Sequence, residues 1–180
     1  MLFYFVRHGQ THANFRRIIA GSGLDQELND EGHRQAQALA SVISEKLTEP
    51  VHRVVASGLK RAQQTGNHLA RALALPLETA HDLREWDLGE WEGQDYDVCV
   101  PLMLGGGEPQ RGEPRRDFYS RVAKGWKSLH HEKNAYLIVS HGGVWMALQD
   151  FLQIPRFKIG NCQMVRVARF ANIWRAEIVA

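Results

Sequence analysis

Two histidines sit in the same local setting. In Arg7-His8-Gly9 and in Ser140-His141-Gly142-Gly143, an imidazole follows a short apolar run and precedes glycine. An imidazole just past a buried strand is held rigidly by packing, and a neighbouring glycine lets a ligand approach the backbone closely. Arg7 adds a planar fork suited to phosphate oxygens. In Ser57-Gly58-Leu59-Lys60-Arg61, Arg61 falls in the first turn of an expected helix. There its charge joins the helix-terminal amides in favouring an anion. Residues 83–93 crowd Glu85, Asp87, Glu90 and Glu92 among Trp86 and Trp91. A carboxyl group beside apolar rings has its neutral form favoured, which suits a general acid near neutral pH. Four carboxylates compete for that role.

Nine histidines raise a metal question. His12 lies four residues after His8, a chelating spacing on a helix, but His8 falls at a strand end with no third ligand nearby. His33, His52, His68, His81, His130 and His131 read as surface or helix-end residues. No metal and no cofactor is expected.

The elements that must position these groups follow from periodicity. Short apolar runs at residues 2–6, 54–56 and 136–139 end at Arg7-His8-Gly9, Ser57-Gly58 and Ser140-His141-Gly142, the pattern of fully buried strands. Residues 76–79 suggest a further strand. Residues 163–170 and 172–179 suggest two late strands joined by a tight turn at Ala171-Asn172. Between them lie helical faces. Ala36, Leu39, Ala40, Ile43 and Leu47 form one, capped by Asn29 or Asp30. Ala62, Thr65, Leu69 and Leu73 form a second, Phe118, Val122, Trp126 and Leu129 a third, and Val144, Leu148 and Phe151 a fourth. Alternating strands and helices predict an α/β three-layer sandwich, a mostly parallel central sheet with helices on both faces. Ligands bind such sheets at the carboxyl ends of the strands, so His8 and His141 should meet on one edge. Residues 94–114, rich in glycine and proline, read as a loop or lid.

The chain has 180 residues, with 22 Lys+Arg against 20 Asp+Glu, a net charge of +2. That length predicts one domain, residues 1–180, with enough burial to need no staple. At 44% hydrophobic and 23% charged residues, the composition excludes disordered, collagenous and disulfide-rich classes. The small net charge argues against a nucleic-acid partner. Cys99 and Cys162 match no paired spacing. The N-terminal apolar run is too short for a signal peptide, and no stretch reaches membrane-span length. A cytoplasmic protein with no membrane partner is expected.

Taken together the pieces resemble one family. Arg7-His8-Gly9-Gln10-Thr11 followed by Asn14, the stretch from Leu24-Asp25 through Gly32 to Gln35, Ser57-Gly58-Leu59-Lys60-Arg61-Ala62, Glu85 with Gly89-Glu90-Trp91-Glu92-Gly93, Val139-Ser140-His141-Gly142-Gly143-Val144, and Asn161-Cys162 stand in order along nearly the whole chain. They resemble the signatures of the histidine phosphatase superfamily, the phosphoglycerate mutase-like proteins. The resemblance implies that His8 is a nucleophile forming a phosphohistidine, with its other ring nitrogen held by a fixed acceptor. It implies that Arg7, Arg61 and His141 hold the phosphoryl oxygens, His141 as an imidazolium. Glu85 would protonate the leaving oxygen and then activate water. Gln10, Thr11 and Asn14 would be weaker contacts. Two departures stand out. Ile18 occupies the position of a frequent pocket arginine, leaving Arg17 as a substitute, and Gly112-Glu113-Pro114 stands where Gly-Glu-Ser is common.

Some 55 residues separate Glu85 from His141, room for a short lid and one helix. A short lid admits water, which favours a phosphomonoester phosphatase acting on a small phosphorylated metabolite. A mutase, a phosphohistidine protein phosphatase and a catalytically silent phospholigand-binding protein are the alternatives. Trp86, Trp91, Trp145 and residues 100–104 either frame a pocket for the leaving group or belong to the core.

Overall fold

The computed structural model describes residues 1–129 and 135–180; His130 and His131 lie outside the described residues. Its strands are β1 (Leu2–Arg7), β2 (Val51–Ser57), β3 (Leu77–Ala80), β4 (Ala135–Ser140), β5 (Met164–Phe170) and β6 (Ile173–Ile178). They form one sheet in the order β3-β2-β4-β1-β5-β6. The first four run parallel, and β5 and β6 are antiparallel additions beside β1. Ala171 and Asn172, with φ of 45° and 68°, make the β5–β6 turn. Two successive left-handed residues match the strands' own twist.

The helices are α1 (His12–Phe15), α2 (Asp30–Lys46), α3 (Lys60–Ala72), α4 (Tyr96–Leu104), α5 (Arg115–Leu129) and α6 (Gly142–Leu152). β1 and β4 are buried almost end to end, so they read as apolar runs rather than as alternation. Leu2, Tyr4 and Val6 face Ala36, Leu39 and Ile43 of α2 and Leu69 of α3. Phe3 and Phe5 face Phe118, Val122 and Trp126 of α5 and Leu148 of α6. The three-layer sandwich is therefore present, with α2 and α3 on one face and α5 and α6 on the other. Asn29 caps α2, its side chain accepting from the Gly32 N–H.

Two local expectations change. Phe151 is exposed rather than inward, and Leu152 takes the buried place. The stretch 94–114 is not a simple loop, because it contains α4. Asp95 caps that helix by accepting from the Asp97 N–H, and Gly105 ends it, so the glycine run bounds an apolar helix instead of breaking it. α4 is tied down at both ends. The Tyr96 N–H donates to the Arg17 carbonyl at 2.8 Å and the Ile19 N–H to the Gln94 carbonyl at 2.9 Å. At the far end, Arg115 Nη2 donates to the carbonyls of Met103 (2.6 Å) and Gly107 (3.2 Å). No helix among the described residues is long and apolar enough to cross a membrane.

Candidate active site

β1 and β4 are neighbours, with Arg7 opposite Ser140 in register. The next residue on each strand is therefore a histidine at the same edge. The His8 N–H donates to the Ser140 carbonyl at 2.9 Å, and the two imidazole centroids lie 5.1 Å apart. β2 ends alongside, and Ser57 Oγ sits 2.7 Å from His141 Nε2.

The partners of His8 dictate its tautomer. Nδ1 lies 2.7 Å from the Gly9 carbonyl, which can only accept, so Nδ1 carries the proton. Arg61 Nε, which can only donate, reaches Nε2 at 3.2 Å. The Nε2 lone pair therefore faces a guanidinium. Burial, then Arg61 and Arg7, hold the His8 pKa well below the usual histidine range, so the ring is neutral.

Arg61 is only 2% exposed. Its Nη1 and Nη2 donate to the carbonyls of Leu24 (3.2 Å) and Gly21 (2.7 Å), which locks the fork in place. Arg7 Nη1 donates to the Ile159 carbonyl at 2.9 Å. Burial lowers the pKa of both arginines, and the negative charge of Glu85 opposes that lowering. Arg7 Nε and His141 Nδ1 are buried without a hydrogen-bond partner among the described residues. Such groups are costly unless something arrives to pair with them.

Of the four competing carboxylates, only Glu85 lines the cavity that opens over His8, Arg7 and Arg61. Its Oε1 accepts from the Trp86 N–H (3.0 Å) and its Oε2 from the Gly143 N–H (3.1 Å), at the first turn of α6. A Cβ at position 143 would lie 2.4 Å from Glu85 Oε1, so the carboxylate's place requires glycine there. Glu92 instead braces a loop, accepting from the N–H groups of Gly23 and Leu88. Glu90 pairs with Arg111 at the surface. Main-chain donors, rather than tryptophan rings, position Glu85. The Trp86 ring stacks on Phe118 and its Nε1 donates to the Glu113 carbonyl.

A sequence profile of the histidine phosphatase superfamily (branch 1) matches residues 3–179. The chain belongs to that superfamily. It is 30% identical to a probable phosphoglycerate mutase, GpmB, of Yersinia pestis, over 97% of this chain and 87% of that protein. It is 34% identical to an agropine synthesis reductase of Rhizobium rhizogenes over 98% of this chain, but spans only 41% of that protein's length. Among solved structures, a mycobacterial glucosyl-3-phosphoglycerate phosphatase in complex with VO3 is similar at TM-score 0.82 and 27% identity, over 98% of this chain and 97% of the other.

Several other residues singled out in this superfamily member have places different from those expected, and Asn14 does not. His141 was expected as an imidazolium. Burial, then Arg61, His8, Arg7 and Arg121, instead push its pKa well below the usual histidine range, which favours the neutral ring. Asn14 lines the cavity, its Oδ1 accepting from the Thr11 N–H and from Asn161 Nδ2. Gln10, Thr11 and Arg17 do not line it. Gln10 Oε1 accepts from Asn29 Nδ2, and Thr11 is a buried cap of α1. Arg17 pairs with Asp97 of α4, so it does not replace the pocket arginine. Ile18 lines the cavity in its own right. Gly9 serves packing rather than ligand approach, since a Cβ there would lie 2.5 Å from the Gly32 carbonyl oxygen. His33 and His68, read as surface residues, are half-buried and meet across α2 and α3, with Nδ1 and Nε2 3.3 Å apart. His12 is exposed, and among the described residues no three His, Cys, Asp or Glu groups gather as metal ligands.

Ser57 and Asn161 carry no expected role from sequence, although both stand in motifs that bear the family resemblance. Asn161 Nδ2 donates to the His8 carbonyl at 2.9 Å and fixes the residue from behind. The carbonyls of Gly21, Leu24 and Ile159, which anchor the guanidinium groups, carry no residue-type signal at all.

Proposed function

We propose that the chain is a metal-independent phosphomonoester phosphatase that acts on a small phosphorylated metabolite through a phosphohistidine on His8. The observation that carries this reading is the neutral His8, its Nε2 lone pair held against one buried guanidinium with a second alongside. Arg7 and Arg61 supply the positive charge that a phosphoryl transition state requires, which is the ground for metal independence.

In the first step His8 Nε2 bonds to phosphorus as the ester P–O bond breaks. Glu85, entering as the acid, gives its proton to the departing oxygen. In the second step water attacks the phosphohistidine, Glu85 takes the water's proton, and the P–N bond breaks to free phosphate and restore His8. His141 acts as a neutral donor. With the Ser57 hydroxyl donating to its Nε2, its unpaired Nδ1–H turns to a phosphoryl oxygen. Hydrolysis is favoured over mutase transfer because the cavity stays open along α4, where Leu104 lines it yet is 61% exposed. Water therefore reaches the intermediate. The similarity to a phosphatase complexed with VO3 supports the same reading. The unpaired cysteines Cys99 and Cys162 fit a reducing, cytoplasmic setting.

A hydrolysis screen over phosphorylated metabolites, run with His8→Ala and with vanadate, tests this. Phosphate release that vanadate inhibits and His8→Ala abolishes is expected. Full activity in His8→Ala, or transfer to a phosphoglycerate acceptor in place of water, contradicts it.

A further inference from the structure

Resting on the phosphatase reading, we propose that the alcohol part of the substrate is apolar, a hydrocarbon chain or ring without a second anionic group. The cavity measures about 430 Å³, within the range of small-molecule sites. A phosphoryl group fills only its floor at His8, Arg7 and Arg61. Above that floor the wall is made by Ile18, Val100, Met103, Leu104, Met146 and Phe157. None of the six is fully buried, and Val100, Met103 and Phe157 pack against the core with only part of their surface. They leave apolar surface turned toward open space, directly continuous with the phosphate end.

The polar groups at that end do not form an anion site. Arg156 is engaged by Asp150, its Nε donating at 2.7 Å. Lys158 is exposed at the rim. Gln149 Nε2 already donates to the Pro155 carbonyl at 3.1 Å. The phosphate end, by contrast, holds Arg61 buried and both guanidinium groups braced by carbonyls. A second carboxylate or phosphate on the substrate would find no equivalent. An apolar alcohol gains by removing Ile18, Met103 and their neighbours from water, at roughly a three- to fourfold gain in affinity per buried methylene. The tethers at both ends of α4 fix Val100, Met103 and Leu104 in place beside the cavity.

The test is calorimetric titration of the whole chain with linear alkylphosphonates from ethyl to octyl. Their C–P bond cannot be hydrolysed here, so binding is read without turnover. Kd is expected to fall about threefold per methylene, which over the six methylenes from ethyl to octyl is on the order of several hundredfold. Ile18→Asn and Met103→Asn should flatten that slope. Val98→Asn, on the outer face of α4 and 63% exposed, should keep it. A Kd independent of chain length, a slope untouched by both wall variants, or tighter binding of 2-carboxyethylphosphonate than of butylphosphonate overturns the proposal. Hydrolysis of ethyl phosphate with a flat phosphonate series overturns this inference alone. A steep series in a chain that hydrolyses no phosphate ester supports the apolar site and overturns the phosphatase reading.

Discussion

The two ends of the cavity are built on opposite principles. At the histidine end, where the proposed phosphoryl site lies, His8 is 4% exposed and Arg61 2%. Each is fixed by hydrogen bonds to backbone carbonyls or to the other. At the other end, half-exposed apolar side chains from four separate segments share a wall and make no hydrogen bonds through it. Phosphoryl chemistry needs donors at set distances and angles, so its residues must be held rigidly at strand ends. Binding an apolar group needs only area, which unrelated segments supply equally well.

Mutations at the phosphate end should therefore cost rate steeply, and those at the wall should change selectivity. The largest effect is expected from His8→Ala, at least about 10⁴-fold in hydrolysis rate, by analogy with removal of other enzyme nucleophiles. Glu85→Gln should lower kcat by about 10²- to 10⁴-fold on alkyl phosphates. It should cost much less on p-nitrophenyl phosphate, whose phenolate leaves without a proton. Equal losses on both substrates would remove Glu85 from the acid role. Gly143→Ala sharpens the comparison, because the atoms nearest the new methyl all belong to the Glu85 carboxylate. A displacement of about 1 Å should cost about 10²-fold in kcat with the melting temperature retained.

The buried imidazoles give a pH signature. An unfolded histidine titrates near 6.5, whereas His8 and His141 in the folded chain titrate well below that. Below about pH 6.5 the unfolded chain thus binds protons that the folded chain refuses, and stability falls as pH drops through that window. Melting curves between pH 7.5 and 5 should show the decline, and His8→Ala should show a shallower one. The smallest effect is expected from Arg17→Ala. Its ion pair with Asp97 is fully exposed, so kcat/KM should move by no more than about twofold.

The same contrast explains what was legible in the sequence. The strand order was not written out, but three apolar runs each ending in a chemistry-bearing residue placed His8, Ser57 and His141 at one sheet edge. The signal is strong because buried parallel strands leave no polar interruption. Arg7, Arg61 and Glu85 were legible because their residue types are rare in such settings and stood in ordered motifs. Local residue types do not separate Glu85 from Asp87, Glu90 and Glu92, and only the family resemblance singles it out, because what holds it is two backbone N–H groups, one of them on Gly143, some 58 residues away. Whether Arg17 takes the place of the arginine missing at Ile18 is open in the sequence, because adjacency does not say which of two neighbours turns inward; Ile18 lines the cavity and Arg17 pairs with Asp97. α4 was missed because Pro101 and the following glycines look like loop composition, while its anchors at Arg17, Ile19 and Arg115 are distant in the chain.

The central claim is a covalent bond between phosphorus and His8 Nε2. Rapid quenching of the chain with a ³²P-labelled phosphomonoester identified in the screen tests it directly. The account predicts label on the protein within one turnover, stable to base, lost in acid, mapped to His8 and absent in His8→Ala. Turnover without any trapped label, or label on a residue other than His8, would contradict it.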